Sequence, residues 1–176
     1  QPPAKMSPGA ANPERYYTTA VVRMLTAEQI LDAISSATGV PERFKGYPPG
    51  TRAIELAEGA VDHHFLRAFS KPVRDMACDC ARETDPSLSQ VLHLLNNPDL
   101  LAKVTSPKNR LARWLAEGKP TPVVLDSIYL ATLSRRPSKN ETEAALRHIN
   151  KVGDTATAFR DLQQALINSN EFLLRH

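Results

Sequence analysis

The chain has 176 residues, 41% of them hydrophobic and 23% charged, with a formal net charge of +3. That length suits one domain around one core, and no stretch approaches the ~20 apolar residues of a membrane-crossing helix. The charges are spread rather than blocked, which argues against a polybasic or acidic tail.

Residues 1–19 begin QPPAKMSPGAANPER, rich in proline, alanine and glycine and without the apolar core of a signal peptide. They read as a flexible lead-in, and the start without methionine suggests a processed product or a piece of something longer. Residues 20–176 are expected to form a single helical domain. In LTAEQILDAISSATG, Thr26 and Gln29 are spaced as a capping box, each side chain serving the other's backbone donor. Ile30, Leu31 and Ile34 follow at helical spacing, and Gly39 before Pro41 stops the helix. From Val40 to about Ala60, PERFKGYPPGTRA holds three prolines and two glycines and predicts a long extended loop.

Short helices then follow one another. In DPSLSQVLHLLNNP, Asp85 caps, Pro86 takes the first helical position, and Leu88, Val91, Leu92 and Leu95 make an apolar stripe that Pro98 ends. SPKNRLARWLAEG repeats the plan with Ser106 as cap, Pro107 at the start, Leu111, Trp114 and Leu115 inward, and Gly118 as stop. Thr121 and Pro122 open the next helix, with Leu125, Ile128, Tyr129 and Leu133 packing. Ser138 and Glu141 form a second capping box before Leu146 and Ile149, and a last helix runs from about Thr155 through Phe159, Leu162, Leu166 and Ile167. No convincing period-two segment appears. The expected fold is all-α: a compact bundle of about six or seven short helices with one long proline-rich loop.

Chemistry-bearing motifs are few. There is no glycine-rich phosphate loop, nucleophile elbow, H-E-x-x-H or C-x-x-C-H. The sharpest feature is RDMACDCARE, which holds both cysteines, Cys78 and Cys80. A C-x-C pair can chelate a soft metal, but a tetrahedral site needs further ligands, for which His63, His64 and His93 are the candidates. A lone histidine between leucines, as His93 is, also suits a core position bonded to a backbone carbonyl. The pair can instead form a disulfide: in extended chain the two Cα atoms lie roughly 6.5 Å apart, near the upper end of the usual range, so a turn is required. Reduced buried thiols, or bonds to cysteines outside this sequence, are the remaining options.

Asp75, Asp79, Glu83 and Asp85 crowd around the cysteines among Arg74 and Arg82. Paired carboxylates at a cleft can hydrolyse glycosides, whereas a mixed run of this kind also makes an ordinary salt-bridged surface. Lys103, Lys108, Arg110, Arg113, Lys119, Arg135, Arg136 and Lys139 form the densest basic stretch, without interleaved aromatics for stacking bases, so a nucleic-acid partner is not expected. The proline-rich loop with Phe44, Tyr47, Pro48 and Pro49, together with the Cys78–Cys80 loop, is the candidate interaction surface, since long connections are commonly functional. Phe44 and Tyr47 can equally tuck into the core and fix the loop.

Four stretches taken in order, LTAEQILDAISSATG, FLRAFSKPVRDMACDCARETDPSLSQVLHLLNNP, SIYLATLSRRPSKNETEAAL and DLQQALINSNEFLLRH, resemble a domain of unknown function found in planctomycete secreted proteins. The likeness spans roughly residues 20–176. Cys78, Cys80, Arg82, Glu83 and His93 to Asn96 match its C-x-C and LHLLN features, and Leu166, Asn168, Ser169, Glu171 and Phe172 its L-x-N-S-x-E-F ending. Where such members read C-E-C-E-R this chain reads CDCARE, displacing the acid–base pair by one residue. The resemblance implies a C-terminal helical module of large multidomain proteins with cytochrome-c-type domains, in an extracytoplasmic setting that favours the Cys78–Cys80 disulfide over free thiols. It implies no catalytic residue and no cofactor here, haem belonging to a neighbouring domain. Its partners would be other domains of the same protein or envelope proteins. An extracytoplasmic enzyme acting on polysaccharide, or a metal-binding or redox module built on Cys78 and Cys80, are the alternatives.

Overall fold

A computed structural model describes residues 23–57, 63, 65–66 and 98–175. Over these the chain is all-α, apart from a two-residue antiparallel pair. In chain order the elements are β1 (Arg23–Met24), α1 (Ala27–Thr38), a single 3₁₀ turn (Ala53–Glu55), α2 (Pro98–Thr105), α3 (Arg110–Ala116), α4 (Thr121–Leu133), α5 (Lys139–Val152), α6 (Thr155–Ile167), α7 (Asn170–Leu173) and β2 (Leu174–Arg175).

Local chemistry sets most boundaries. Thr26 and Gln29 close the expected capping box on α1, and Ser138 and Glu141 the one on α5. Gly39 ends α1 in the left-handed region at φ +70°, and a Cβ there would lie 2.6 Å from Arg110 Cγ, so conformation and space both demand glycine. Pro98 is the first residue of α2, a position where its missing N–H costs nothing, and the helix expected ahead of it, from Asp85 through Leu95, lies outside the described residues. One boundary differs from the sequence reading. The cap of α3 is Asn109 rather than Ser106, because residues 106–109 form a turn that brings the Asn109 side chain to the Leu111 N–H at 2.9 Å. Pro120 caps α4, with Thr121 and Pro122 as its first helical residues. In α5 the inward position is Ala145, and Leu146 points to solvent, since the buried face follows Ala145 and Ile149.

Helices this short are marginal alone, so their stability comes from packing. α4 and α6 are central: α4 packs on α1, α3, α6 and α7, and α6 on α2, α3, α4, α5 and α7. With neighbours on several sides, α4 is apolar around nearly its whole circumference and still leaves Val123 and Leu130 exposed. One core cluster gathers α1 residues Ile30, Leu31 and Ile34 with Phe65, Leu100 and Val104; a second gathers Leu111, Leu125, Ile128, Tyr129 and Phe159. Each fully buried aliphatic side chain contributes about 1.5–3 kcal/mol.

Between them lies a polar pair, Asn109 and Gln163, each 0% exposed. The Asn109 amide nitrogen donates to Gln163 Oε1 at 2.8 Å and to the carbonyls of Val104 at 3.0 Å and Lys103 at 3.2 Å. Gln163 in turn reaches the Ala37 carbonyl at 3.5 Å. One contact thus joins the ends of α1 and α2 and the start of α3 to the middle of α6. A second tie holds the C-terminal part. Arg135 bonds Glu141 at 2.7 and 2.9 Å and Glu171 at 2.6 and 2.7 Å, with its guanidinium over the Tyr129 ring.

Asn109→Ala removes a cap and orphans Gln163 in a dry site, and should lower unfolding free energy by about 2–4 kcal/mol in chemical denaturation. The hydrogen bonds from Arg135, opposed by burial and helped by the Ser138 N–H, hold the Glu141 carboxyl down to about 2 from its ordinary 4.5. A depressed folded-state value means stabilisation that is complete above the unfolded value and lost as pH falls towards 2. Both side chains are about a third exposed, so screening leaves roughly 1 kcal/mol. Unfolding free energies from denaturant titration at about pH 5 and about pH 2.5 should differ by that much more in the parent than in Arg135→Gln.

Candidate functional site

Of the residues singled out for chemistry, Cys78, Cys80, His64 and His93, with the acids Asp75, Asp79, Glu83 and Asp85, lie outside the described residues. Among the described residues no three of His, Cys, Asp and Glu come together as a metal site. Within the basic stretch, Lys103 is buried, Arg135 is taken by two carboxylates and Arg136 lies 3.8 Å from Asp126, so these cations are engaged by the protein itself.

The proline-rich loop divides into an inner and an outer face. Phe44, expected as part of an interaction surface, is 5% exposed in the first core cluster, with its ring edge-on to His63 at 5.6 Å between centroids. An aromatic ring gains more from leaving water here than from standing on the loop. Tyr47 is half-buried against the same cluster, while Pro48 and Pro49 are exposed.

What sequence reasoning missed is the polar group behind this loop. Lys103, 6% exposed on α2, places its ammonium 3.1 Å from Glu42 Oε2, 2.8 Å from the Val40 carbonyl and 3.2 Å from Ser35 Oγ. All three ammonium hydrogens are thereby used. Glu42 also accepts from the Arg43 N–H at 3.1 Å, and His63 Nε2 stands 3.8 Å from its other side. Burial pushes the Glu42 carboxyl up, but the Lys103 charge, the Arg43 N–H and His63 together outweigh it and hold the group below the usual carboxylate range. His63 Nδ1 is buried without a hydrogen-bond partner.

In front of this group runs an open cleft of about 540 Å³ between the second half of α1 and the loop, walled in part by Asp32, Ser35, Ser36, Glu42, Thr51 and Arg52. Asp32 projects from α1 across its floor: Oδ1 accepts from Ala53 N–H at 2.7 Å and Oδ2 from Ile54 N–H at 3.2 Å. Arg52 approaches Asp32 only to 3.6 Å and is 66% exposed. The loop is therefore clasped at both ends by carboxylate-centred bonds, Glu42 to Lys103 and Asp32 to the 3₁₀ turn.

Lys103→Met leaves Glu42 as an uncompensated, half-buried charge and should cost about 3 kcal/mol by denaturant titration, whereas Lys103→Met with Glu42→Gln recovers a substantial part of the loss.

A family model described as a protein of unknown function (DUF1553) matches residues 4–149, a span that takes in the cleft, the loop and α1 to α4 with most of α5. No curated protein and no solved structure matches the chain. The match covers well over half of the sequence, and the chain belongs to the DUF1553 family of proteins of unknown function.

Proposed function

We propose that this chain is a non-catalytic helical module, the C-terminal part of a secreted or cell-envelope protein of planctomycete type, which docks onto other domains of that protein, a cytochrome-c-type domain among them, or onto envelope proteins. The observation that supports this is how the motif residues are used. Arg135, Ser138, Glu141, Ser169 and Glu171, all within the stretches that resemble the planctomycete domain, act as caps and ion pairs that hold the fold together. Residues engaged in holding the fold need no reaction to account for them. Haem, in this reading, is carried by the neighbouring domain. The docking surface is the outer loop face at Pro48 and Pro49, whose stiff backbone gives up little conformational freedom on binding.

A polysaccharide-cleaving enzyme would need one carboxyl kept protonated as a general acid, with its pKa raised. Glu42 faces the cleft with its pKa lowered, which argues for a structural carboxylate. The metal or redox reading draws support from the unpartnered His63 Nδ1, the one member of the candidate ligand set within the described residues.

The test is to export the chain to an oxidising periplasm, purify it, and mix it with the remainder of its parent protein. Co-elution is expected, lost in Pro48→Asp, with no titratable thiol until reductant is added and no stoichiometric metal by elemental analysis. Absence of co-elution sinks the docking role, and one zinc or copper per chain replaces it with the metal-binding one.

A further inference from the structure

The cleft beside the loop has an unusual balance of hydrogen-bonding groups. Its acceptors are fixed: both Asp32 oxygens are aimed by backbone N–H groups, and Glu42 is pinned by Lys103. Apart from the exposed Arg52 guanidinium, its donors are largely spent. Lys103 uses every ammonium hydrogen behind the wall, and the N–H groups of Gly39, Thr51 and Arg52 bond to Ser35 O, Pro48 O and Glu55 Oε2. What faces the opening is spare lone pairs on two carboxylates, the Ser36 hydroxyl, which can turn either way, the Ser35 hydroxyl, which already accepts from Lys103, and the solvent-facing Arg52. An occupant must therefore supply O–H or N–H donors.

Charge narrows the choice. Asp32 faces Arg52 and Glu42 faces Lys103, so the wall carries paired charges of both signs. An anion would meet carboxylates, and a further cation would have to compete with a partner already in place. A peptide brings a carbonyl acceptor for every N–H, and those carbonyls would find few donors here. A sugar hydroxyl can spend itself as a donor and leave its lone pairs to solvent. The volume falls within the roughly 300–1,000 Å³ of small-ligand sites.

We propose that this cleft binds a neutral saccharide chain, with hydroxyls donated to the Asp32 and Glu42 carboxylates and a further bond at Ser36. Binding involves no bond cleavage and is independent of the docking role, which stands or falls on co-elution.

The test is titration of the full chain, followed by amide chemical shifts in NMR, with cellohexaose, maltohexaose and xylohexaose as neutral probes. A hexa-arginine peptide and an oligogalacturonate serve as charged comparators. At least one neutral probe should move the Ser35, Ser36 and Thr51 amides saturably in the millimolar range typical of about −4 kcal/mol. Ser36→Trp, which fills the cleft from an exposed helix position, should weaken that response about tenfold, as should Ser36→Lys, with signals of the distant α5 unchanged. Silence towards all three neutral probes, a response confined to a charged comparator, or binding untouched by both Ser36 variants would overturn the proposal.

Discussion

Asn109 and Gln163 meet where no water reaches, and the arrangement of the helices follows from that meeting. The two apolar clusters on either side supply most of the driving force, but burial of aliphatic surface is non-directional and would tolerate several relative rotations of α2, α3 and α6. The amide pair tolerates far fewer. Its donors and acceptors are satisfied by the Val104, Lys103 and Ala37 carbonyls and the Leu111 N–H together, and a slipped helix would strand some of them in a dry interior. The hydrophobic ridges decide that the helices associate; the amides decide how.

The same division of labour recurs outward. Lys103 and Arg135 are cations placed where oxygen atoms from separate parts of the chain must converge: α1, the loop and Glu42 around the first, α5 and α7 around the second. Lys103 is buried, whereas Arg135 is about a third exposed and acts more through the direction of its paired bonds than through their energy. The buried Lys103 organises a loop that has almost no secondary structure, and Arg135 links two stretches that the family likeness picked out separately. This explains how a chain with little recognisable chemistry can still carry specific motifs.

How much of this could be read from residue order depends on the range of each interaction. Both capping boxes, Gly39 and the glycine stop after α3 are local, and their signatures lie within four or five residues. The all-α architecture follows from them and from the spacing of apolar residues. Asn109 escaped notice because Ser106–Pro107 offers a more familiar helix start, and nothing nearby announces an acceptor on α6. Pro98 opens α2, where a proline fits without losing a hydrogen bond. Lys103 belonged, by composition, to a basic stretch facing water; its place inside depends on Glu42 and Val40, far away in sequence. The cleft was illegible for the same reason, since Asp32 and Glu42 look unremarkable until the loop folds back over α1.

The short ribbon of β1 and β2 has a bearing on how such a module hangs from anything larger. Arg23 pairs with Arg175 and Met24 with Leu174, and the Leu25 N–H reaches the Leu173 carbonyl at 2.9 Å. The strands run antiparallel, so polypeptide attached ahead of residue 23 and polypeptide attached beyond residue 175 would emerge shoulder to shoulder. A tug on both attachments would open the ribbon one rung at a time, like a zip, and the helical body would feel load only after those few rungs had parted.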